Sequence, residues 1–172
     1  MRESTADVAA LQRVLDVSRA AAGAHLRAIF DDDHALRATD VIAELDGIFE
    51  MHLATVAADG APLVAPVDGI FFRGRVWFGL PGGSVRARLV RREPRVSASY
   101  TKDSFAFIVH GSARRADGRD DQLGEFDALM QELYVAEYGP GWIEWREQQR
   151  RADAAGRSFT GWIEPRRMFV KR

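Results

Sequence analysis

The sequence predicts a mainly β domain, a six-stranded antiparallel barrel with helices packed outside it or capping its ends. Two observations carry this. Between residues 50 and 115 the extended runs follow one another with only short turns and one short helix between them, and two more close the chain. Consecutive strands joined by tight turns pair antiparallel. A sheet of that size hides its edges by curling on itself.

The elements follow in order. Residues 5–30 place Val8, Leu11, Val14, Leu15 and Val17/Ala21 near helical spacing, which predicts one amphipathic helix ended by Asp31–Asp33. Thr39 and Asp40 are able to cap a shorter helix near 40–49. Strands are expected over 50–58 and 62–72 around the Asp59–Gly60 turn, and over 75–80 after Arg73–Gly74. Pro81-Gly82-Gly83-Ser84 opens a short helix, 84–92, which Glu93-Pro94 stops, because a residue before proline avoids the α region. Strands 95–101 and 104–115, helices 119–138 and 140–155, and extended pieces 158–164 and 167–171 complete the chain. Residues 1–38 read as a helical extension and 39–172 as the barrel domain, with the helices of about 119–155 packed outside.

Composition removes several chemistries. The 172 residues contain no cysteine, which excludes disulfides, thiolate nucleophiles and iron–sulfur clusters. The four histidines (His25, His34, His52, His110) are scattered, so no metal site is expected. With 24 basic and 25 acidic residues the chain has no global field for nucleic acid. No apolar run reaches the roughly 18 residues of a membrane span and no leader is visible, so no membrane partner and a cytoplasmic location are expected. An enzyme built this way would borrow an organic cofactor.

The stretch 62–113 carries the chemistry. Gly82-Gly83 permits tight backbone geometry, Ser84 is a natural N-cap, and the first helical turn offers amides and a dipole to an anion. Measured from Ser84 at about 100° per residue, Arg88, Arg91 and Arg92 fall near 40°, 340° and 80°, one solvated face. Val85, Leu89 and Val90 fall at about 100°, about 140° and about 240° and define an apolar arc. Arg86, at about 200°, falls inside that arc. An arginine rooted there needs an anionic ligand, a carboxylate partner or a route to water. Pro66 cannot donate to a ladder, so strand 62–72 is an edge or is bulged there. Its free backbone is able to meet a flat ring, or the proline simply blocks aggregation. Asp68 either faces a ligand or solvent. Trp77 and Phe78 either flank a ring or are core, and Gly79 allows close approach. His110 reads as a partly buried strand residue.

In order, LATVAADGAP, a strand ending in FF, VWFG, glycine–serine–x–basic, RREPRVSASY and VHGSA resemble the pyridoxamine 5′-phosphate oxidase-like, FMN-binding split-barrel superfamily. The resemblance covers about 40–115 and, more faintly, the closing IEPRRMFVK. It implies a Greek-key split barrel and a homodimer with two cofactor sites at the subunit interface. It further implies an oxidoreductase passing hydride to or from an unknown small molecule. Ala65, Pro66, Val67 and Asp68 would line the ring, Phe78 and Gly79 with Trp77 adjacent would contact the cofactor, and Ser84, Val85 and Arg86 would hold its phosphate. FMN is the first expectation, with the deazaflavin coenzyme F-420 and a non-enzymatic flavin- or haem-binding protein as alternatives. The Arg–x–x–x–Leu–Lys pattern of true pyridoxamine phosphate oxidases is absent, with Ala65 and Ile70 in those places. Their closing Arg–x–His–Asp–Arg motif is also missing, so vitamin B6 phosphate is not the expected substrate. No residue stands out as a catalytic acid or base.

Overall fold

The computed structural model describes residues 2–30, 35–116, 121–153 and 156–172. Six strands, β1 (Ile48–Val56), β2 (Pro62–Phe72), β3 (Arg75–Leu80), β4 (Arg95–Lys102), β5 (Phe105–Arg115) and β6 (Phe159–Lys171), close in the order β1-β2-β3-β6-β5-β4, every neighbour antiparallel. Among the described residues six helices surround them: α1 (Thr5–Ala20), α2 (Ala24–Ile29), α3 (Ala38–Glu44), α4 (Val85–Arg92), α5 (Asp121–Tyr138) and α6 (Gly141–Ala152).

The alternation of the strands fills the barrel. Met51, Leu53, Phe78, Phe107, Ile163 and Met168 point inward and are buried, while their strand neighbours face out. Leu11 and Leu15 of α1, Val41 of α3 and Leu45 at the C-cap of α3 join the same cluster and close the barrel. The Ser18 hydroxyl fastens α1 to β6, donating to Val14 O and accepting from Met168 N at 2.8 Å. The outer face of β2, β3 and β6 is roofed by α5. Trp77 stacks on Phe126 with ring centroids 4.4 Å apart, and Ile70, Phe72 and Leu129 pack around them.

Several element boundaries differ from the sequence reading. The N-terminal helix is two helices, α1 and α2, divided at Ala21–Gly23, so the chain turns before the Asp31–Asp33 run, which lies outside the described residues. The next helix begins at Ala38, not at Asp40. Asp40 sits in its first turn and accepts from the Arg37 amide at 3.0 Å, so it caps from inside. It stops at Glu44, because Gly47 takes φ +87° and turns the chain into β1, which starts two residues earlier than expected. The two closing extended pieces are one strand, β6. Gly111 pairs with Pro165 and His110 with Arg167, so Arg166 is an extra residue, a bulge, and the bulge is what the sequence pattern shows as a break.

Candidate functional site

The barrel is split between β2 and β3. Their ladder runs only from Gly69↔Phe78 to Phe72↔Arg75, while Pro62–Asp68 pairs with β1 alone. Beyond Phe78, Gly79 and Leu80 pair with β6 and leave their other side open. The free edge of β2 at Ala65–Asp68 therefore faces the departing end of β3. Pro66 fits this edge because it has no amide to leave unpaired. Leu80 then runs through a turn closed by Ser84 N donating to Pro81 O at 2.9 Å, directly into α4.

The N-terminus of α4 is capped. Ser84 Oγ accepts from Ala87 N at 3.1 Å, which leaves its hydroxyl proton free to donate. The buried face of α4 is set by Ala87 and Val90, with Arg86 and Leu89 half-buried at its margin. This corrects the apolar arc in two respects, since Arg86 lies at the margin of the buried face rather than inside it and Val85 lies off it. Val85 is 52% exposed, because the helix docks through Ala87 and Val90 rather than through Val85. Arg88, Arg91 and Arg92 are exposed as expected. Two of them hold neighbouring backbone, Arg91 donating to Arg157 O and Arg92 to Val56 O at 3.0 Å. Arg86 differs. Its Nε is buried and has no hydrogen-bond partner. A buried guanidinium nitrogen without an acceptor, two residues from a helix N-cap, is what a bound phosphate would satisfy.

The two glycines before Ser84 do different work. A Cβ on Gly82 would meet Asp153 Oδ1 at 2.6 Å and Ser158 N at 2.7 Å, so Gly82 is needed where the loop after α6 crosses the turn. Gly83 has open space around it.

The remaining expected residues divide. Ala65 and Asp68 are half-buried, Pro66 is exposed and Val67 is buried inward. Asp68 faces neither open solvent nor an empty site. It accepts from the Tyr134 hydroxyl at 2.7 Å, and Tyr134 stacks on Trp142 with centroids 4.9 Å apart. Burial first, then this bond to a carboxylate, pushes the Tyr134 phenol far above its ordinary pKa, so it stays protonated. Gly79 is exposed at the opening. Trp77 is fully buried under α5 and donates from Nε1 to Phe72 O at 3.2 Å. Phe78 is buried in the barrel against Phe159. Their rings are core, and only the backbone of Phe78 and Gly79 reaches the opening. From sequence, Tyr134, Tyr138, Trp142 and Trp145 read as core or dimer packing, and the bond of Tyr134 to Asp68 is not legible there. The helical spacing of Tyr134 to Tyr138 is visible, but its partner Asp68 lies far back along the chain, on β2.

Among the described residues no group of three or more His, Asp or Glu side chains could hold a metal, and no helix is long and apolar enough to cross a membrane.

No protein-family model matches the chain, and no curated protein matches it by sequence. Solved structures do. A conserved hypothetical protein, Rv2991 from Mycobacterium tuberculosis, is similar over 82% of this chain and 88% of its own, with a TM-score of 0.61 and 19% identity. A putative pyridoxamine 5′-phosphate oxidase from Listeria innocua matches over 77% and 94%, with a TM-score of 0.53 and 16% identity. HutZ, the haem storage protein from Vibrio cholerae, matches over 77% and 92%, with a TM-score of 0.55 and 16% identity. The chain thus shares the fold of these proteins, a putative pyridoxamine 5′-phosphate oxidase and a haem storage protein among them.

Proposed function

We propose that the protein is an oxidoreductase that binds FMN at the opening between β2 and β3, with the deazaflavin F-420 as the alternative cofactor. The observation that carries this is the unpartnered, buried Nε of Arg86 beside the capped N-terminus of α4. The cofactor supplies hydride transfer. The chain supplies the rest. Arg86, the Ser84 hydroxyl and the α4 amides at Val85 and Arg86 bind the phosphate. The free backbone of Ala65–Asp68 meets the edge of the ring, and Gly79 gives it room. The α5 aromatics anchored through Tyr134–Asp68 stand beside the same strand and exclude water. Two copies complete the two sites, each covering the other's apolar edge at Leu63 and Val64, which are 44% and 62% exposed in the single chain.

The visible spectrum of the purified protein, with and without added cofactor, is the test. Two flavin bands support FMN and one shorter-wavelength band supports the deazaflavin. A sharp Soret band would replace both with a haem-binding reading. A colourless protein that takes up neither FMN nor deazaflavin overturns the proposal. In a binding titration, Arg86→Ala weakens cofactor affinity by roughly 1.5–3 kcal/mol, the value of a charged hydrogen bond. Unchanged affinity removes Arg86 from the site.

A further inference from the structure

At the β1–β2 hairpin, where Gly60 and Pro62 meet the outer wall of β1, β4, β5 and β6, lies a groove of about 830 Å³. Register explains it. Ala54, Ser97, His110 and Arg167 form one row across the four strands, and Arg95, Ser112 and Glu164 form the next. The floor is therefore made of Ala54, Ser97, Ser112 and Gly111, side chains too short to fill the space. Gly111 is fixed by packing, since a Cβ there would lie 2.1 Å from Glu164 O. The bulge at Arg166 lifts that side chain onto the rim. Arg95 and Arg114 stand on the rim as well.

The charges in this groove are unbalanced. Arg95 is neutralised by Glu93, with Nε to Oε1 at 2.9 Å. Glu164, the groove's one carboxylate, accepts from Trp162 Nε1 at 3.0 Å and faces Arg75 at 3.8 Å. Arg114 and Arg166 have no acceptor among the described residues. His110 lies beside the Arg166 bulge, four residues before Arg114 on β5, with Nδ1 2.7 Å from Ser97 Oγ. Assigning the Ser97 hydroxyl as the donor places the ring proton on Nε2, so the ring also presents a donor. Burial, then the charges of Arg166 and Arg167, hold the imidazole below its ordinary pKa. His52 of β1 is on the same outer wall, one row away, and exposed.

We propose that this groove is a second binding site, for a phosphate-bearing small molecule held by Arg114, Arg166 and His110. The supply of donors with no anion to receive them, in a concavity of ligand size, points to an oxyanion. It stands apart from the cofactor opening and does not rest on the oxidoreductase reading. Binding is linked to protonation. An anion beside His110 favours the imidazolium, so the histidine titrates at higher pH when the groove is filled, and affinity rises as pH falls.

The experiment uses the full chain and sulfate, a tetrahedral dianion at all pH values where His110 titrates, as the probe for the phosphate group. The C2 proton of His110 is followed by NMR against pH, with chloride at equal ionic strength as the control, and assigned by its loss in His110→Gln. Sulfate is expected to move the His110 midpoint upward while the midpoints of His25 and His52 stay in place. Arg114→Ala and Arg166→Ala, both at exposed positions, each weaken sulfate binding about ten-fold or more. Arg86→Ala leaves the sulfate response of His110 unchanged, which keeps this site distinct from the cofactor's. A His110 midpoint indifferent to sulfate, or a shift equal in the double Arg114→Ala/Arg166→Ala variant, overturns the proposal. Equal shifts of all the observed histidines overturn it too, because they report only general ion binding.

Discussion

At the scale of single residues, the sheet depends on glycines for reasons of space. A Cβ on Gly161 would lie 1.9 Å from Arg114 O, a backbone atom that cannot rotate away. Gly161→Ala therefore has to spread β5 from β6 and is expected to destabilise by about 1–3 kcal/mol or more, read as a lowered midpoint in urea denaturation. The same substitution at Gly83, where nothing lies within 4 Å, should leave that midpoint in place, and a comparable loss there would refute the steric account. Asp153 works through charge. Its carboxylate accepts from Arg157 N at 2.8 Å and Ser158 N at 2.7 Å, and the bonds with Ser158 lead in holding its pKa below the ordinary aspartate value. A folded pKa that is depressed gives stability that is present above the unfolded pKa and lost as pH falls through the folded one. The loop at 156–158 should thus loosen in acid below the ordinary aspartate range. Asp153→Asn should show the loosened state already at neutral pH, seen as faster amide exchange at Arg157 and Ser158.

At the scale of elements, β2 and α5 show what a sequence displays and what it hides. The bounds of β2, β3 and α4 were legible, because turn residues flank them and proline or serine fixes their ends. The half-free edge of β2 was legible too, since Pro66 cannot sit in a fully paired strand. The roofing of Trp77 was not. An aromatic on alternate strand positions reads alike whether it meets a cofactor or a helix, and α5 arrives only after α4, β4 and β5 have passed. Arg86 was legible as the misplaced arginine of α4, but the true docking face, through Ala87 and Val90, depends on how the helix lies on the barrel. If α5 is seated chiefly by the Trp77–Phe126 stack, Phe126→Ala should cost roughly 3–5 kcal/mol. The loss should come with early amide exchange in α5 while the protection of β4 and β5 holds. Uniform loss of protection across the barrel would mean that α5 is not a separable layer.

At the scale of the whole molecule, the chain closes a barrel and yet leaves one edge half-open. Pro62–Asp68 pairs on one side only, and Leu63 and Val64 are exposed there. A bare apolar edge is a liability that a folded protein covers, charges or shortens. Pro66 interrupts it and Asp68 is drawn away by Tyr134, so neither charge nor length protects residues 63–65. A second copy related by a two-fold axis would bury the same patch from both chains at once. It would also close the β2–β3 opening against water, so dimerisation and cofactor retention should be lost together. Val64→Lys places a charge on that edge without entering the core. It should turn a dimer into a monomer in sedimentation velocity and release bound cofactor on gel filtration, with the thermal midpoint of the barrel little changed. A Val64→Lys protein that stays dimeric would place the interface elsewhere. One that becomes monomeric and keeps its cofactor would show that a single chain completes the site.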